Sequence, residues 1–160
     1  MSESKFKTIR HIETVRNYLN AVVTSILHRA EIHDQSKLEP PEVDIFEVYT
    51  PKLRDTTYGS DEYKQFLSEM KPAIEHHNEV NRHHPEHFAD GVKGMTLIDL
   101  IEMVCDWKAA TMRHHDGDIM RSIDINQKRF GFTDELATIL RNTAHYLNEE
   151  VVVYHKADES

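Results

Sequence analysis

The sequence predicts an all-α protein, a single helical bundle of six to seven helices spanning residues 1–160. Three observations carry that expectation. Apolar residues recur at the 3.6-residue period of an amphipathic helix through several long runs. Only five glycines and five prolines occur in 160 residues, too few for a turn-rich sheet protein. Most breakers fall between the periodic runs, at Pro40-Pro41, Gly59, Pro85, Gly91, Gly94, Gly117 and Gly131, with Pro51 and Pro72 as the exceptions. The length suits one domain with one sizeable core.

The first run, "FKTIRHIETVRNYLNAVVTSILHRAEI", places apolar residues at 6, 9, 12, 15, 19, 22, 23, 26 and 27 and has no glycine or proline to interrupt it. Pro40 and Pro41 suit the first turn of a second helix carrying Ile45, Phe46 and Tyr49. "RDTTYGSDEY" reads as a loop, and Ser60 as the N-cap of a helix from about 61 to 81, kinked at Pro72. "RHHPEHFADGVKG" is a loop. Thr96 caps the helix "LIDLIEMVCDWKAATMR", "HHDGD" breaks the pattern, and "IMRSIDINQKRF" forms another helix that Gly131 ends. Thr133, with Asp134 and Glu135 behind it, starts the last helix, "ELATILRNTAHYLNEEVVVYH". The apolar stripes of the first and last helices fit either a core or the seam of a homodimer.

Composition excludes some functions. The formal charge is -9, from 19 basic and 28 acidic residues, which argues against an extended nucleic-acid surface. A small phosphorylated ligand stays compatible, because a bound cation supplies local positive charge. Cys105 is the one cysteine, so no intrachain disulfide forms and a reducing compartment is expected. The segment "MSESKFKTIR" has no apolar signal core, and no stretch approaches the roughly 18–20 apolar residues of a membrane span. Both points favour a cytoplasmic protein with no membrane partner.

Three units carry chemistry. In "HDQSK", His33 and Asp34 are adjacent and Lys37 follows three residues later. Imidazole offers one nitrogen and the carboxylate two oxygens, so the pair suits a divalent ion, and the carboxylate is able to bridge two. The same pair also serves as a helix cap beside a surface histidine. In "VCDWKAA", Asp106 sits in an apolar helix, where Asp99, Glu102 and Asp106 share one face. That face is either the wet side or, with Met103 and Trp107 flanking it, a covered one. His11 lies beside the apolar stripe of the first helix, with His28 about 100° away on the wheel. Between these units, "HHNEVNRHHPEH" holds five histidines in twelve positions. "RHHDGD", with His114, His115, Asp116 and Asp118, reads as a polar turn or an active-site rim, and His145 and His155 as decoration of the last helix. Phe88, Trp107, Phe130 and Tyr146 read as core or pocket wall rather than a stacking platform for bases. Cys105 is expected to face the core or the neighbours of Asp106.

Taken in order, these units read H…HD…H…HH…D. This resembles the HD-domain superfamily of metal-dependent phosphohydrolases: "HDQSK" is similar to its HDxxK stretch, and "VCDWKAA" to its later helix with a ligand aspartate followed by small residues. The likeness covers roughly residues 8 to 112. More closely, "HDQSKLEPPE", "HHNEVNRHHPEHF" and "MTLIDLIEMVCDWKAA" resemble an uncharacterised family of bacterial and phage proteins, which implies no activity. The superfamily resemblance implies an HD-like fold with His11, His33, Asp34 and Asp106 on a first metal. Asp34 would bridge to a second metal completed by His77 and by His83 or His84. It implies Asp34 and Lys37 as catalytic residues, Lys37 touching a substrate phosphate, and Asn81 and Glu86 as supporting or substrate-contacting groups. His77 and His83 stand only six residues apart, closer than in many two-metal members.

The residue types agree with that chemistry. Histidine with carboxylate suits one or two ions of Mn, Fe, Co, Ni or Zn, and two bridged metals activate water at neutral pH. The leading expectation is a phosphohydrolase acting on a nucleotide or another small phosphorylated metabolite. A di-iron oxygenase on the same scaffold and a non-catalytic metal-binding helical module are the alternatives.

Overall fold

The computed structural model describes residues 2–56, 60–112 and 117–157, apart from the side chains of Arg54, Asp55 and residues 150–157. It is all helical, with seven α-helices and no strand among the described residues. The chain divides into two compact units at His33 and Asp34.

The first unit is helix α1 (Glu3–Ile32). Ser2 caps it through a hydroxyl that accepts from the Lys5 amide at 3.3 Å, with Glu3 in the first turn and Arg29 in the last, each matched to the helix dipole. Ile12, Leu19 and Leu27 of its apolar stripe are at least half exposed.

The second unit opens at Asp34, whose backbone is left-handed at φ 57°. A 3-10 turn follows (Gln35–Leu38), then α2 (Glu42–Asp55), α3 (Asp61–Glu69) and α4 (Lys71–Val80). Pro41 is the N-cap of α2 and Pro40 precedes it. Ser60 caps α3, its hydroxyl accepting from the Tyr63 amide at 3.1 Å. The single kinked helix expected over 61–81 is instead two helices that meet at Met70. Pro72 is the reason. In a continuous helix its ring would meet the carbonyl four residues back, whereas at the start of a new helix its missing N–H costs nothing.

Two 3-10 turns, Pro85–His87 and Gly91–Gly94, lead to α5 (Leu97–Thr111), α6 (Ile119–Phe130) and α7 (Asp134–Ala157). Thr96 and Asp99 form a reciprocal capping box at the head of α5. Asp118 caps α6 through a bond from the Met120 amide at 2.8 Å. Gly131 ends α6 in the left-handed conformation at φ 66°.

The core lies where α5, α6 and α7 pack together. Met103, Val104, Ile119, Ile123, Ala137, Leu140 and Ala144 are buried there, with Phe132 from the α6–α7 connection. Each large side chain of that set stabilises the unit by about 2 kcal/mol. Trp107 and Phe130 pack on its edge, while Tyr146, expected in the core or a pocket wall, is 60% exposed because it falls on the outer face of α7. On the other side, α2 packs on α3 and α4, around the buried Ala73 and Met70.

An ion pair between the α4–α5 connection and α5 helps to tie these halves. The Arg82 guanidinium donates from Nε and Nη2 to the two oxygens of Asp99, both at 3.1 Å, and stacks over the Phe88 ring at 4.8 Å. Asp99 also accepts from the Thr96 amide and hydroxyl and is 1% exposed. No described helix is long and apolar enough to cross a membrane.

Gly131→Ala is expected to lower the unfolding free energy by about 1 kcal/mol, since no atom obstructs the added methyl and the cost is the left-handed backbone alone; urea denaturation measures it. Asp99→Asn should cost about 2 kcal/mol at neutral pH. Burial pushes the Asp99 carboxyl up, but its bonds from Arg82 and Thr96 outweigh that and hold it below the usual carboxylate range. Its contribution is therefore complete above about pH 4 and fades as pH falls through the lowered value. The gap between wild type and Asp99→Asn should accordingly shrink in denaturation curves taken at progressively lower pH.

Candidate metal centre

Four segments of the second unit supply the centre. The left-handed turn at Asp34 sends its carboxylate inward and starts the 3-10 turn that carries Ser36 and Lys37. His77 lies on the last turn of α4 and is 5% exposed. His83 and His84 occupy the link between α4 and Pro85, His83 being 2% exposed. Glu102 and Asp106 project from successive turns of α5.

Asp34 Oδ1 stands 3.3 Å from His77 Nε2 and 3.4 Å from His83 Nε2. The other oxygen, Oδ2, accepts from Lys37 Nζ at 2.6 Å. A ligand-type nitrogen from each of His77, His83 and His84 lies within 4.8 Å of the others. A carboxylate oxygen of Asp106 comes equally close to a nitrogen of His83. Two ligands at 2.0–2.1 Å from one ion, at the tetrahedral angle, are about 3.4 Å apart, so the Asp34 distances match a shared cation.

The nitrogens themselves support the fit. The Nε2 atoms of His77 and His84 are buried and make no hydrogen bond among the described residues. Buried polar atoms are normally satisfied, and a cation would satisfy these. Burial first, then the neighbouring His83 and His77, pushes the His84 imidazole down to about 3. It is therefore neutral across the physiological range, the form in which imidazole ligates a metal. Three imidazoles and one or two carboxylates suit a divalent transition metal.

Two glutamates orient the candidate ligands. Glu42, at the start of α2, is fully buried and accepts from His76 Nδ1 at 2.7 Å and His77 Nδ1 at 2.8 Å. Burial raises its carboxyl, but bonds from His76, Ser36 and His77 together bring it below the ordinary value. Glu102 stands 3.2 Å from His83 Nδ1. In both histidines Nδ1 faces a carboxylate and Nε2 faces Asp34, the pattern by which outer carboxylates set tautomer and ring orientation in metal sites. Asn81 reinforces it, donating to Ser36 Oγ at 2.8 Å and to the His77 carbonyl at 2.9 Å.

Of the residues singled out from sequence, Asp34, Lys37, His77, Asn81, His83, His84 and Asp106 come together here, and both members of the 83/84 pair take part. Glu86 stands at the rim, paired with Arg129 at 2.7 Å. His11, exposed, and His33, partly buried, belong to the α1 unit. His114, His115 and Asp116 lie outside the described residues, as does the side chain of His155, and His145 is exposed. The face of α5 bearing Asp99, Glu102 and Asp106 is covered rather than wet. Of the two surroundings expected for Cys105, the core is not the one it has: it is exposed, because one residue's rotation from Val104 turns it off the core face, and the charges of Glu102 and Asp106 act on its thiol. Glu42 escaped sequence reasoning: an acid after Pro-Pro reads as an ordinary first-turn glutamate, and only burial marks it.

Residues 1–151 match a family of unknown function, DUF5662. The chain belongs to that family. No curated protein and no solved structure matches it. In this DUF5662 member, then, the site's own chemistry carries the functional argument.

Glu42→Gln is expected to weaken Mn²⁺ or Zn²⁺ binding by about 10- to 100-fold, measured by isothermal titration. An amide whose NH₂ turned toward His77 Nδ1 would favour the wrong tautomer.

Proposed function

We propose that this protein is a metal-dependent phosphohydrolase of the HD-domain kind, acting on a nucleotide or another small phosphorylated metabolite. The observation that carries the reading is the Asp34 carboxylate. One oxygen lies 3.3–3.4 Å from two imidazole Nε2 atoms, and the other holds Lys37. A divalent ion bound there would supply an acidified water and draw charge from a phosphoryl oxygen.

The chain's residues do the rest. Asp34, His77, His83, His84 and Asp106 are the ligand candidates for one or two ions of Mn, Fe, Co, Ni or Zn. Lys37, which donates to Asp34 at 2.6 Å and also lines the adjoining cavity, is the candidate contact for a substrate phosphate. The cavity beside the centre, about 330 Å³, is lined by Lys37, Glu86 and Arg129 with His77 and His84 among others, so two cationic side chains face an anion entering it. Hydrolysis joins the water oxygen to phosphorus and breaks the ester P–O bond. Asn81 and Ser36 steady His77 during that exchange. The lone Cys105 keeps the cytoplasm as the expected location.

The expected outcome is phosphate release from a nucleotide panel or from bis(p-nitrophenyl) phosphate by metal-loaded protein. EDTA should stop it and Asp34→Ala should lower it by at least 1,000-fold. Metal-loaded protein that hydrolyses none of these, and instead consumes oxygen with iron bound, would replace the hydrolase by an oxygenase.

A further inference from the structure

Two apolar helix faces stand in water. On α1, Ile12, Val15, Leu19, Val22, Val23 and Leu27 are each 41–63% exposed, and at 100° per residue they fall within an arc of about 140°. α1 has no buried residue. On α5, Leu97, Ile101, Cys105, Ala109 and Met112 are exposed, Leu97 at 77% and Met112 at 61%. They recur at steps of four and three and so form one ridge, on the side of α5 opposite the buried Met103. Arg16 and Lys108 fall within these arcs, and their methylene stems lie readily along apolar surface. A helix that is apolar over most of its circumference is normally a buried one, so the α5 ridge calls for a cover.

We infer that two copies of this chain pair about a two-fold axis, the α1 stripe of each lying on the α5 ridge of the other. Three features argue for a second copy as the occupant. The faces match in length: Ile12 to Leu27 and Leu97 to Met112 are both fifteen residue steps, about 22 Å of helix. They match in charge. α1 holds five Lys or Arg against three Asp or Glu in a chain of net charge -9, so a basic helix meets an acidic body, with Glu102 bordering the ridge. They match in area. Strips about 22 Å by 12 Å on both partners, in a contact made twice, bury about 1,000 Å², the scale at which an interface becomes specific. Every copy carries both faces, so a closed pair leaves neither uncovered. Ile101 and Cys105 each precede an acid of the centre, Glu102 and Asp106, so the seam borders that site. Leu19 and Cys105 stand near the middle of their strips, so they face each other whichever way the helices run.

The full chain is examined by sedimentation velocity, where it should run as a dimer of twice 18.7 kDa. Leu19→Asp and Ile101→Asp should each weaken association by at least 10-fold, with helicity by circular dichroism unchanged. Mixing the two variants should restore a dimer, because one of the two reciprocal contacts is then free of both charges. A cross-link gives a second measurement that survives a poorly folding variant. In Leu19→Cys, mild oxidation should join the new thiol to the partner's Cys105 and give a covalent dimer on a non-reducing gel, a product lost when Cys105→Ser is added. Several results overturn the pairing: a wild-type chain that stays monomeric at about 100 μM, a mixture that stays monomeric, or a Leu19→Cys bond to Cys105 within one chain, which places α1 on its own α5. A covalent dimer of Leu19→Cys that persists with Cys105→Ser overturns it too, by pairing α1 with α1. No metal or substrate enters these measurements, so their outcome is independent of the hydrolase reading.

Discussion

A fully buried carboxylate, Glu42, governs the geometry of the centre. Taking a carboxylate out of water costs several kcal/mol unless hydrogen bonds replace the lost hydration. Here two imidazole N–H groups do so, one on each oxygen. The consequence reaches beyond the bonds themselves. With its Nδ1 proton committed to Glu42, His77 has only Nε2 left to present, and that atom faces Asp34. The packing of α2 on α4 thus fixes a tautomer, and the tautomer fixes what the site can bind.

The same device recurs from the opposite side. Asp99 and Glu102 lie one turn apart on α5, and they hold the consecutive residues Arg82 and His83. The α4–α5 connection is therefore strapped to α5 at two adjacent points, one structural and one within the centre. Asp106, a further turn along, extends that acidic line toward His83. A helix repeat of 3.6 residues turns three acids into a cap, an imidazole support and a ligand candidate.

Asp34 joins these two supports. Its left-handed backbone is uncommon for a residue with a side chain, and aspartate is among the few that tolerate it. Such conformations gather at functional sites. The turn lets one carboxylate face the imidazoles with one oxygen and Lys37 with the other, beside the cavity that α4, α5 and α6 enclose. Arg129, exposed on the lining of that cavity, pairs with Glu86 at its rim and lies over the Phe130 ring.

The sequence by itself determined the helical class, the caps at Ser60 and Thr96 and the stop at Gly131, and it singled out several of the residues that gather around Asp34. These are local matters: hydrophobic period, capping chemistry and backbone freedom act over a few residues, and ligand-type side chains are visible in the text of the chain. It did not reveal the break at Met70, because a kinked and a severed helix share one periodicity. Nor did it mark Glu42 as buried, give Glu102 a partner, or show that Arg129, more than forty residues from Glu86, closes a cavity with it. Those were decided by tertiary structure alone, since burial and long-range pairing depend on which helix faces lie against each other, and nothing in a single residue's neighbours along the chain records that.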